Sequence, residues 1–86
     1  MTSQIFRNKN IVITGAASGI GAACARSFAD DGASLLLVDR DHERLGLVAK
    51  ELNAMDFTAD VRSENSIIEM ANYAEKQFGM VHAVVT

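Results

Sequence analysis

The chain has no proline, a single cysteine, a single tyrosine and no excess of positive charge. Each shortage narrows what it can be. Cys24, being alone, can form no internal disulfide, which fits a reducing, cytoplasmic setting. With Lys+Arg 8 against Asp+Glu 11, the formal net charge is −3. Nucleic acid and anionic membrane both need a basic face, so neither is expected as the main partner. The opening residues, Met1 to Arg7, lack the roughly 7–15-residue apolar run of a secretory leader. No stretch approaches the roughly 20 apolar residues of a membrane span. There are no repeats, no linker and no low-complexity tract.

What remains is a folded-globular balance, 49% hydrophobic and 22% charged over 86 residues. That length makes one small domain with a thin core, since such chains bury only roughly 60–65% of the surface their unfolded form exposes. Apolar runs alternate with helical periodicity. Ile11-Val12-Ile13-Thr14 reads as a strand ending at Gly15. From Gly19, the residues Ile20, Ala23, Cys24 and Phe28 recur at helical spacing, which predicts an inner stripe with Cys24 as a buried thiol. The helix should stop near Asp31, where Gly32 can take a left-handed cap. Ser34 to Asp39 is a continuous apolar run, as expected of a strand covered on both faces.

Asp41 can cap a second helix whose inner face is Leu45, Val48, Ala49 and Leu52. A short third strand is expected around Asp56-Phe57-Thr58-Ala59. Ser63 then caps a third helix with Ile67, Met70, Ala71, Ala74 and Phe78 on one stripe, closed by Gly79. Residues Val81 to Thr86 read as a fourth strand. The order is β-α-β-α-β-α-β, with connections long enough for parallel pairing. Right-handed crossovers make this a Rossmann-type α/β fold of strand order 3-2-1-4. Residues 1–86 are then the N-terminal part of a single dinucleotide-binding domain. An apolar strand without a covering helix leads to the expectation that the sequence is truncated after strand 4.

The densest signal is Thr14-Gly15-Ala16-Ala17-Ser18-Gly19-Ile20-Gly21, between strand 1 and helix 1. A diphosphate at a helix N-terminus is held by free backbone N–H groups and the positive end of the dipole. Side chains must be absent where backbone meets phosphate, which favours glycine. Gly15 lets the strand turn, Gly19 clears the phosphate path, and Gly21 lets the helix pack tightly on the sheet. Thr14 could brace this turn through its hydroxyl. The sequence lacks the Gly-Lys-Ser/Thr ending of a P-loop, which disfavours ATP and GTP. Asp39 follows 24 residues beyond Gly15, at the end of strand 2. A carboxylate there can accept both hydroxyls of an adenosine ribose and repels a 2′-phosphate, so NAD is favoured over NADP. Ser18 adds no positive charge to the turn. Arg40 beside Asp39 could stack on adenine or meet a phosphate.

These residues resemble the short-chain dehydrogenase/reductase family. Its turn, Thr-Gly-x-x-x-Gly-x-Gly, is matched by Thr14, Gly15, Gly19 and Gly21, with Ile20 also typical, and Asp39 matches its NAD-selecting acid. Asp60-Val61 matches its Asp-Val pair after strand 3, where the resemblance implies an acid contacting the adenine amino group and a neighbour lining the ring. The resemblance implies an oxidoreductase that passes a hydride between NAD and a small alcohol or carbonyl substrate, and a homo-oligomer. It places the cofactor on Gly15, Ser18, Gly19, Ile20, Gly21, Asp39, Arg40, Asp60 and Val61. The family's catalytic asparagine, serine and Tyr-x-x-x-Lys pair have no match here. Tyr73 is followed four residues on by Gln77, so it is expected at the surface or core edge and not in catalysis. No catalytic residue is therefore assigned, and the 86 residues alone are expected to be inactive. Neither His42 nor His82 has a second ligand at metal spacing, so no metal site is expected. The alternative is a non-catalytic, oligomerising Rossmann-like module or a truncated remnant.

Overall fold

The computed structural model describes residues 5–86; residues 1–4, part of the stretch weighed as a leader, lie outside the described residues. Seven elements follow in order: β1 (Asn10–Thr14), α1 (Gly19–Asp30), β2 (Ser34–Asp39), α2 (His42–Leu52), β3 (Met55–Thr58), α3 (Glu64–Phe78) and β4 (Ala83–Val85). The strands form one parallel sheet of order β3-β2-β1-β4, as the crossover rule required. Three strands differ slightly from expectation, β1 by starting one residue earlier, at Asn10. β3 starts one residue earlier, at Met55, and β4 is confined to Ala83–Val85.

The central strands are buried on both faces, which explains their unbroken apolar runs. Ile11, Val12 and Ile13 are each 1% exposed, and Leu36, Leu37 and Val38 are fully buried. Burying a side chain of that size contributes about 1.5–3 kcal/mol. Alternation along each strand sends these residues to two cores. Ile11, Ile13, Leu35 and Leu37 pack under α1 and α2, while Val12, Leu36 and Val38 pack under α3 with Met70 and Ala74. The expected caps Asp41 and Ser63 and, in addition, Ser18 are N-caps whose side chains accept backbone N–H groups, and the expected stops Gly32 and Gly79 take positive φ.

The inner faces of α1 and α3 need correction. α1 buries Ala22 and Ala25, with Phe28 and Ala29 packed beside them, while Ile20 is 82% exposed, Ala23 is exposed and Cys24 only half-buried. The helix is turned relative to the predicted stripe because Gly21 sits directly on the Gly15 backbone. That contact orients the small alanines, not Ile20, toward the sheet. In α3, Met70 and Ala74 are buried and Phe78 is half-buried, but Ile67 and Ala71 stay exposed. The face of α2 is as expected, with Leu45, Val48 and Ala49 buried and Leu52 packed against them. No helix among the described residues is long and apolar enough to cross a membrane.

Candidate functional site

The turn after β1 is held by an internal network. Gly15 has φ +67°, a conformation that only glycine adopts freely. A Cβ on Gly21 would stand 2.0 Å from the Gly15 carbonyl oxygen, so helix and turn meet at a distance closed to every other residue. The Ser18 hydroxyl donates to the Gly15 carbonyl at 2.7 Å and accepts the Gly21 N–H at 3.1 Å. Ser18 thus caps the helix. The Ser18 carbonyl accepts the Ala22 N–H at 2.8 Å, and Ser18 N–H donates to the Gly15 carbonyl at 3.1 Å. The N–H groups of Gly19 and Ile20 then have no hydrogen-bond partner among the described residues. They are bare donors at the positive end of a 12-residue helix. A Cβ on Gly19 would meet nothing within 4 Å, so the space beside that residue is open.

Strand pairing carries this turn to the acids. Asp39 lies opposite Thr58 in the parallel β2–β3 register, which brings the ends of both strands to one edge of the sheet. A cleft of about 280 Å³ opens there. Gly15, Ala59 and Val61 line it, together with two acids, Asp39 and Asp60, and two arginines, Arg40 and Arg62. Asp39 accepts the Ala17 N–H through Oδ2 and the Asp41 N–H through Oδ1, both at 3.0 Å. Asp60 is bound differently. The Arg62 guanidinium donates to both of its oxygens at 3.0 Å, and the Arg62 N–H donates to Oδ1 at 2.9 Å. Those hydrogen bonds, the guanidinium's first, hold the Asp60 carboxyl down at about 2, with a weaker pull from Arg40. It is therefore a carboxylate, and only an acceptor, at any physiological pH.

The sequence-assigned residues fall on two sides of the turn. Gly15, Asp39, Arg40, Asp60 and Val61 share the first cleft. Gly15, Ser18, Ile20 and Gly21 line a second one of about 190 Å³, against Cys24 and the end of β4. Gly19 borders a third groove, between α1 and α2. Residue reading missed Arg62; its signal was an Asp-x-Arg segment just ahead of the cap Ser63. It missed also that Asp39 reaches back to the turn, a contact across 22 residues that no local pattern announces.

The remaining candidates have other partners. The Thr14 hydroxyl donates to the Val85 carbonyl at 3.4 Å and not into the glycine turn. Tyr73 lies at the core edge, stacked on Phe57 with ring centroids 5.0 Å apart. His42 Nδ1 is 2.8 Å from Thr58 Oγ1, and His82 Nδ1 accepts the Asn10 N–H at 2.9 Å. Among the described residues no three His, Cys, Asp or Glu side chains gather where they could hold a metal ion.

Comparison with known proteins identifies relatives of the whole fold. A family model described as short chain dehydrogenase matches residues 9–86. An uncharacterized oxidoreductase of Staphylococcus epidermidis is 40% identical over 81 residues, covering 92% of this chain and 35% of that protein. A short chain dehydrogenase/reductase from Burkholderia phymatum, solved in complex with NAD, is similar at TM-score 0.89 and 33% identity, over 92% of this chain and 30% of that one. A 3-ketoacyl-(acyl-carrier-protein) reductase from Brucella melitensis, complexed with NADH, is similar at TM-score 0.88 and 34% identity, over 92% of this chain and 33% of that one. The chain spans about a third of the length of the curated relatives it matches.

Proposed function

The chain belongs to the short chain dehydrogenase family, and from that premise we propose that it forms the adenosine and diphosphate side of an NAD-binding domain in a cytoplasmic oxidoreductase. The observation that carries the reading is the pairing of bare Gly19 and Ile20 amides with the Asp39 carboxylate across one turn. The two N–H groups and the helix dipole suit a diphosphate. Asp39 retains acceptor capacity beyond its two backbone bonds and suits the ribose hydroxyls, while its charge opposes a 2′-phosphate. Asp60, held ionised, accepts an amino donor such as that of adenine, and Val61 and Arg40 border the space a base would fill. Residues 1–86 are on this reading the N-terminal part of a single domain.

NAD, when bound, supplies the hydride acceptor for an alcohol, or in reduced form the hydride donor for a carbonyl. This chain's own residues bind and orient; its single tyrosine has no lysine four residues on. We expect the 86 residues alone to turn over no alcohol. A second reading, an oligomerising module without chemistry, is favoured by one observation. Ile67, Ile68, Met80 and Val84 on α3 and near β4 are between 42% and 63% exposed, an apolar surface suited to a second copy. Calorimetric titration of the full-length protein with NAD and NADP tests the first reading. NAD should bind more tightly, and Asp39→Ala should erase most of that preference. Equal or tighter binding of NADP by the unaltered protein would overturn the assignment.

A further inference from the structure

The glycine turn is tied to β2 at two consecutive amides, and the ties differ in kind. Ala16 N–H donates to the Val38 carbonyl at 3.1 Å, a backbone bond that any residue at position 38 would preserve. Ala17 N–H donates to Asp39 Oδ2 at 3.0 Å, a bond that depends on one side chain. Ala17 is 7% exposed, and Asp39 Oδ2 is the acceptor its N–H uses. The residues that follow are Ser18, which caps α1, and then Gly19 and Ile20 with their unpartnered amides. The same carboxylate receives the Asp41 N–H, from the cap of α2, on its other oxygen.

We propose that Asp39 is a positioning residue for the diphosphate turn, so that the group receiving the ribose hydroxyls also sets the amides that receive the diphosphate. The inference rests on the dinucleotide reading above. A carboxylate has about four acceptor sites. Two are used by Ala17 and Asp41, which leaves the others for ligand hydroxyls, and both roles can operate at once. A 2′-phosphate would repel Asp39, and moving the side chain away to relieve the repulsion withdraws the acceptor from Ala17. Discrimination against NADP therefore extends into the diphosphate site, and the two halves of a nucleotide are read as one unit.

ADP and 2′,3′-dideoxy-ADP separate the two roles, because the second has no ribose hydroxyl for Asp39 to accept. In the full-length protein, Asp39→Ala should weaken dideoxy-ADP about tenfold by calorimetry, and ADP by more. Asp39→Asn offers one amide oxygen to two N–H donors and should show the same order with smaller losses; it carries the comparison if the alanine variant does not fold. Hydrogen exchange without ligand supplies an independent readout. The Ala17 amide should exchange roughly tenfold faster in either variant, with the Ala16 amide unchanged, whereas a general loss of stability would speed both. Dideoxy-ADP binding equally well to wild type and both variants, or Ala17 protection unaltered, overturns the proposal. If the wild type bound neither nucleotide, the proposed function would fall, while Ala17 exchange would still decide whether Asp39 holds the turn.

Discussion

The two rims of the first cleft are built on opposite plans. One rim, the turn from Gly15 to Gly21 with Asp39, is made of backbone and tertiary contact. Its decisive bonds join residues 22 apart, and its alanines are buried. The other rim, Asp60 to Arg62, is local and ionic. Its bonds join residues two apart, and the two side chains are 37% and 71% exposed. Contacts of the first kind are partly shielded from solvent, so water and salt weaken them less. Contacts of the second kind are screened and contribute little to stability. The lesson is a division of labour: the rigid rim sets a geometry, and the exposed rim sets a charge.

The largest test of that contrast is Gly21→Ala. The added methyl would lie 2.0 Å from a backbone oxygen, which cannot move without shifting the turn. A loss of about 3 kcal/mol or more is expected in urea denaturation, together with nucleotide binding. Unchanged stability would show that helix and turn can separate freely and that the rim is not rigid.

Gly19→Ala sharpens the comparison within the same rim. The new methyl meets nothing within 4 Å, and φ there is not positive, so stability should change by less than about 1 kcal/mol and can rise. ADP affinity should nevertheless fall, by tenfold or so, because the methyl adds bulk where backbone has to approach the diphosphate closely. An ADP affinity equal to wild type would mean that the diphosphate docks elsewhere.

Arg62→Ala has the smallest effect on the fold and the clearest on charge. The Asp60 carboxyl, held at about 2 by Arg62, should return toward the ordinary carboxylate range, as followed by its side-chain carbon shift in a pH titration. A depressed folded-state value means that the pair's contribution is complete above the unfolded value near pH 4 and is lost as pH falls through about 2. The stability gap between wild type and variant should therefore stay constant between roughly pH 5 and 8, on those reference values. The gap between them should shrink only below that range. A gap that instead grew on acidification would contradict the assigned pair.

Much of this was legible from residues. The glycine spacing announced the turn because its demands are local: a sharp turn at Gly15 and no side chain at Gly21. Asp39 was legible because an acid stands where the apolar run of β2 ends, and Asp60 only through the family's Asp-Val pair. Ile20 and Cys24 misled, since Ala22, Ala23 and Ala25 are all apolar and periodicity cannot rank one face of such a helix above another. Arg62 was hidden for a different reason. A surface arginine acquires meaning only when the loop brings its guanidinium onto a specific carboxylate.

By itself, the sequence determined the alternation of strands and helices, their caps and the parallel order β3-β2-β1-β4, because hydrophobic period, turn chemistry and crossover handedness are properties of short segments. Only the tertiary structure decided which side of α1 meets the sheet, that Asp39 reaches Ala17, and that Asp39 and Asp60 border one cleft. Those outcomes depend on how separate segments pack, as where the absence of a side chain at Gly21 lets α1 close on the Gly15 backbone.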